Sequence, residues 1–158
     1  MSEYRTFVVP YDFSAHARAA LDAALDLGRR LGADLHLVHV IQPPAYAYGY
    51  GAYGGIAAAA PVDLEQLRES AAAALREVVK AVENPPGKLE AHVVSGSIVA
   101  EALREKAEQL GADLIVMGTH GRTGLAHVFL GSVAERTLRR APCGVLTVQA
   151  PEEDDTAA

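Results

Sequence analysis

The chain alternates between two hydrophobic periods, and that alternation leaves few folds open to it. Thr6 to Val9, Asp34 to Ile41, Leu89 to Val94, Leu114 to Met117 and Val145 to Val148 are short apolar runs that read as strands. Between them, Ser14 to Leu31, Val62 to Val82, Ile98 to Leu110 and Ser132 to Arg140 space their apolar residues as helices do. The second helix shows it best, with Leu64, Leu67, Ala71, Leu75, Val78 and Val82 on one stripe. A helix between every pair of strands is the connection that parallel strands need. The pattern predicts an α/β fold with an open five-stranded parallel sheet and helices on both faces. With 158 residues the chain forms one domain, residues 1–150, followed by a disordered acidic tail, residues 151–158. Leu31-Gly-Ala-Asp-Leu35 recurs as Leu110-Gly-Ala-Asp-Leu114, and both copies read as one helix-to-strand turn with glycine in the left-handed region.

Composition excludes several classes. No apolar run approaches the ~20 residues of a membrane span, and Met-Ser-Glu-Tyr-Arg-Thr-Phe lacks the apolar core of a signal peptide. The expected location is cytoplasmic, with no membrane partner. The single Cys143 cannot pair within the chain and, in Cys143-Gly-Val-Leu-Thr-Val148, reads as a small buried hydrophobe. Net charge is −6, four of it from Glu152, Glu153, Asp154 and Asp155 in the tail. This is not the basic footprint of a nucleic-acid binder.

Residues 42–61 interrupt the rhythm with seven Ala, four Gly, four Tyr and three Pro. Such a stretch reads as a flexible insert, a mobile lid or a partner-contact loop. Gly49-Tyr-Gly51-Ala-Tyr-Gly54 within it matches the dinucleotide fingerprint. It is rejected because prolines separate it from strand and helix, whereas the fingerprint needs a tight strand-to-helix turn.

The chemistry concentrates after the fourth strand. Gly118-Thr-His-Gly121, nine residues and then Gly131-Ser132 place a glycine-rich loop between a strand and a helix start. Glycine admits close backbone approach, and a helix N-terminus offers unpaired donors and a partial positive charge, so the segment reads as an anion site. Arg122, His120 and His127 fall within the loop, as phosphate contacts or as solvated side chains. Arg136, Arg139 and Arg140 are read as partners of the helix C-terminus. After the first strand, Asp12 is either a ligand contact or a carboxylate at the start of the helix that Ser14 caps. His36 and His39 stand three apart on one strand, point to opposite faces and cannot share an ion. No metal ligands and no catalytic residues are assigned, and the P-loop motif G-x-x-x-x-G-K-[ST] is absent.

Pro10-x-Asp12-Phe-Ser14, Leu37-Val-His-Val40, Met117-Gly118-x-x-Gly121 and Gly131-Ser132 together resemble the universal stress protein family, in the branch whose loop reads G-x2-G-x9-G-[S/T] and binds ATP. The resemblance runs from Arg5 to Gln149. It implies a Rossmann-like sheet of order 3-2-1-4-5. It also implies an adenine held through the backbone of Val40, and a nucleoside lined by Pro10 and Asp12. Phosphates would lie against Gly118, Gly121, Gly131, Ser132 and Val133, bridged by Mg²⁺, with Met117 and Arg122 counted among the cofactor-binding residues. The family commonly dimerises through its last strand, here residues 143–148, and an open apolar edge strand favours pairing on physical grounds. The implied function is a nucleotide-dependent stress-response regulator with at most slow ATP hydrolysis. Two alternatives stand beside it. One is a nucleotide-independent dimeric interaction module. The other is an enzyme that transfers AMP or cleaves ATP to pyrophosphate, although the H-x-G-H and S-G-G-x-D-S motifs of such enzymes are missing.

Overall fold

In the computed structural model of this chain, residues 3–43, 63–120 and 130–151 are described. The elements follow in the order β1 (Thr6–Pro10), α1 (Ala15–Leu31), β2 (Asp34–Ile41), α2 (Leu64–Ala81), β3 (Leu89–Ser95), α3 (Val99–Leu110), β4 (Leu114–Gly118), α4 (Ser132–Arg140) and β5 (Gly144–Val148). All strand pairs are parallel, and the sheet order is β3-β2-β1-β4-β5, as expected. The insert and the acidic tail lie outside the described residues, apart from Gln42, Pro43 and Pro151 at their margins.

The helix starts are chemically specified. Ser14 caps α1, its hydroxyl accepting from the Ala17 N–H at 3.1 Å. Asp63 caps α2, its carboxylate accepting from the Glu65 and Gln66 N–H groups. The first helical residues are therefore Ala15 and Leu64, one and two positions later than the periodicity alone predicts. At the other ends, Gly32 and Gly111 close α1 and α3 with φ of 66° and 62°, left-handed values that suit glycine.

Two apolar layers flank the sheet. Phe7, Val9, Leu35, Leu37, Leu114 and Val116 face α1 and α2. Val8, Val38, Ile115 and Met117 face Leu103 and Ala107 of α3 and Ala134 of α4. The stripe on α2 is only partly used, because Leu75 is its one buried residue. Leu64 and Leu67, at the start of the stripe, are exposed. Across the second layer, Arg140 of α4 pairs with Glu101 of α3. Arg104 first and Arg140 second hold the Glu101 carboxyl below its ordinary range.

The repeated Leu-Gly-Ala-Asp segment performs one job twice. Asp34 accepts from the Lys88 N–H just before β3. Asp113 accepts from the Arg5 and Thr6 N–H groups at the start of β1, both at 2.9 Å. Each carboxylate ties its strand's beginning to the beginning of a neighbour. Asp113→Ala leaves two backbone donors without their partner. It is expected to lower unfolding free energy by about 1–3 kcal/mol in urea titration; an unchanged midpoint would show that the clamp does not contribute.

Cys143 packs partly buried against the α3–α4 layer. Burial, with Asp113 adding to it, raises its thiol pKa, so less thiolate is present at neutral pH. Labelling of the folded chain by a thiol reagent at pH 7.5 is expected to be at least about tenfold slower than in urea. Equal rates would place the sulfur in solvent.

Candidate functional site at the switch point of the sheet

The strand order reverses between β1 and β4, and beyond their carboxyl ends lies a cleft of about 710 Å³. The size suits a small organic ligand. Its position follows from hydrogen-bond parity. In a parallel strand alternate residues bond to opposite neighbours. Asp113 N–H donates to Thr6, so even-numbered residues of β1 face β4, whereas Tyr11 N–H donates to Val38 and odd-numbered ones face β2. The next residue due to donate to β4 is residue 10. Proline has no N–H, and the β1–β4 pairing ends at Val8↔Ile115.

The same parity positions the backbone of Val40. The Ile41 carbonyl accepts from Gly96 beside β3, so the N–H and C=O of Val40 face β1. The last β1–β2 pair is Pro10↔Val38. Val40 thus turns one donor and one acceptor into the space where β1 has ended. Beside it, His39 Nδ1 lies 2.8 Å from the Tyr11 carbonyl oxygen. Phe13, at φ 66°, packs against both Tyr11 and His39. This packing holds the β1–α1 turn in a left-handed conformation that costs a non-glycine residue about 1–2 kcal/mol. Burial also raises the Tyr11 pKa, so its hydroxyl stays protonated.

Across the cleft, α4 begins at Gly131, which supplies no side-chain cap. The first N–H groups of α4, at Ser132 and Val133, lack an intrahelical acceptor. The Gly131 N–H itself donates to the Thr119 carbonyl at 2.7 Å, which fixes the helix start against the end of β4.

The cleft brings together Pro10, Asp12, Val40, Met117, Gly118, Gly131, Ser132 and Val133. Gly121, Arg122 and His127 lie outside the described residues. Asp12 accepts from the Ser14 N–H at 3.0 Å, so it serves the turn while also lining the cleft. Met117 is buried against α3. His120 stands 5.2 Å, ring to ring, from His16 of α1, a neighbour that sequence reading missed because α1 and β4 meet only in the fold. Arg139 pairs with Glu135 and Arg140 with Glu101, and neither arginine lines the cleft.

Gly118 lines the cleft and also has a packing role that the expectation of a phosphate-contacting glycine does not include. A Cβ there would meet His16 Cβ at 2.7 Å and the His16 carbonyl at 2.9 Å. Its side-chain direction points into α1, so glycine is required for α1 to lie close to β4. At Gly131 a Cβ would press on the Thr119 carbonyl at 3.1 Å. Gly118→Ala is therefore expected to cost about 1–3 kcal/mol of stability, read by thermal unfolding of ligand-free protein. An unchanged melting temperature would refute the packing role.

The Universal stress protein family model matches residues 3–149 of this chain. Universal stress protein A homolog 1 of Coxiella burnetii is 38% identical over 146 residues, covering 92% of this chain and 96% of that protein. Among solved structures, universal stress protein UspA from Lactobacillus plantarum aligns with a TM-score of 0.72 at 26% identity, over 94% of this chain and 99% of that one. A universal stress protein crystallised in complex with cAMP aligns with a TM-score of 0.63 at 29% identity, over 95% and 100%. The chain belongs to the universal stress protein family.

Proposed function

We propose that the cleft binds an adenine nucleotide, ATP with Mg²⁺, and that the protein is a nucleotide-dependent stress-response regulator. One observation carries the reading. A backbone donor and acceptor at Val40 face, across a cleft of about 710 Å³, a helix N-terminus without a side-chain cap. Adenine presents an amino donor beside a ring-nitrogen acceptor, the complement of one C=O and one N–H. The α4 N–H groups and the Ser132 hydroxyl suit phosphate oxygens. Pro10 and Asp12 border the sugar between them, with Gly121 and Arg122 as further phosphate contacts. The related protein solved with cAMP supports adenine as the base.

Mg²⁺ would be held by the phosphates and the Ser132 hydroxyl, where it would neutralise phosphate charge. Asp12 is the one carboxylate among the described residues lining the cleft, and it is engaged with the Ser14 N–H. A site so poor in carboxylates suits slow hydrolysis at most. No described helix is long and apolar enough to cross a membrane; the proposed cytoplasmic location rests on the family. A homodimer through β5 is supported by an edge strand paired only to β4 and by exposed Leu146.

The test is nucleotide content after denaturation, followed by calorimetry of stripped protein with Mg²⁺-ATP and with cAMP. ATP is expected near one per chain. Ser132→Pro occupies the first helical position, where proline is tolerated while the N–H and hydroxyl are removed. It should weaken ATP by at least about tenfold with little change in folding, since two hydrogen bonds to a charged group are lost. No heat with either nucleotide, or full affinity in a folded Ser132→Pro protein, would refute the site.

A further inference from the structure

Three side chains converge on the α3 face of the sheet, four residues along β2 from Val40. His36 and Glu90 are register partners across β2 and β3, and Glu90 and His92 stand two apart on β3. The pleat therefore directs all three the same way. His36 Nδ1 lies 3.0 Å from His92 Nε2 and 3.5 Å from Glu90 Oε2. His92 Nε2 lies 3.8 Å from the same oxygen. A tetrahedral ion with bonds of about 2.0–2.1 Å holds its ligand atoms about 3.3 Å apart, and the three separations bracket that value. The His36 and His92 side chains are 11% and 20% exposed and Glu90 is 50% exposed. The imidazoles are thus held in place while the carboxylate keeps a path to solvent. Among the described residues β3 is the edge of the sheet.

We propose that His36, Glu90 and His92 form a binding site for a divalent transition-metal ion of the zinc class, with three protein ligands and a fourth position open to water. Two imidazoles and one carboxylate select Zn²⁺ and its neighbours over Mg²⁺ or Ca²⁺, which prefer all-oxygen shells. The ring nitrogens that face the ion now share one hydrogen. On binding, that hydrogen moves to the other nitrogen of its own ring, so both imidazoles remain neutral and each offers a lone pair. Lys106 of α3 acts on both rings and Lys88 on His36, while Asp34 and Glu90 supply the opposing negative charge. The site is separate from the cleft at the switch point and does not rest on nucleotide binding there.

The experiment uses the full chain, stripped of nucleotide and metal, titrated with ZnCl₂ against a chromophoric chelator and separately with Co²⁺. One Zn²⁺ per chain is expected, with intense visible absorption from four-coordinate Co²⁺. Glu90→Gln and His92→Gln lie on the edge strand, and circular dichroism verifies their folding. Each should weaken Zn²⁺ by at least the roughly 100-fold that even an outer partner of a metal site can contribute, and His92→Gln should abolish the Co²⁺ band. Absence of stoichiometric binding, equal affinity in the folded variants, or the weak spectrum of six-coordinate Co²⁺ would each overturn the proposal.

Discussion

The missing N–H of Pro10 is the constraint on which the working end of this molecule depends. A central parallel strand ordinarily bonds to both neighbours along its length. Here the pairing of β1 with β4 stops at Val8↔Ile115, while the pairing with β2 continues to Pro10↔Val38. β1 is released from one side first and then, at the left-handed Phe13, from the other. The ends of β2 and β4 project past it and leave the cleft between them. Proline is normally excluded from central strands; at a switch point its cost is offset because the lost bond opens the space that a ligand uses.

The two ends of the sheet are built on opposite principles. At the beginnings of the strands, Asp34 and Asp113 satisfy the backbone N–H groups of neighbouring lead-in segments. At the strand ends, Val40 and the first turn of α4 keep backbone groups available. A rigid lower rim lets the upper rim be incomplete without loosening the strands. The Arg140–Glu101 pair extends this support to α4, whose start is held by the Gly131 bond to Thr119.

Much of this was legible in the chain. The change of period from strand to helix indicated every element, with boundaries one or two residues off, the largest shift at α2, where Asp63 caps the helix. The repeated Leu-Gly-Ala-Asp segment was readable as a turn, but the use of its aspartates was not, since their partners lie on other strands. The glycine loop pointed to the cleft, yet the reason for Gly118 was hidden, because α1 approaches it only after folding. His36 and His39 were correctly separated by strand geometry. The true neighbours of His36 are Glu90 and His92, more than fifty residues away, and only the β2–β3 register aligns them. Side-chain spacing within one element can be read from a sequence, whereas register between elements cannot.

All four helices run back against the strands, so all four begin at the end of the sheet that holds the cleft. Their dipoles therefore add rather than cancel, and each contributes roughly half a positive charge to the same rim. The first turn of α1 carries no acidic residue, whereas Glu65, Glu101 and Glu135 stand in the first turns of α2, α3 and α4 and offset part of this charge. Within a chain of net charge −6, attraction of an anion to the cleft thus rests on backbone donors at helix starts, whose field reaches about 8 Å at physiological salt. Repulsion of anions by the molecule as a whole and attraction by its cleft then act over different ranges, and lowering the ionic strength strengthens both.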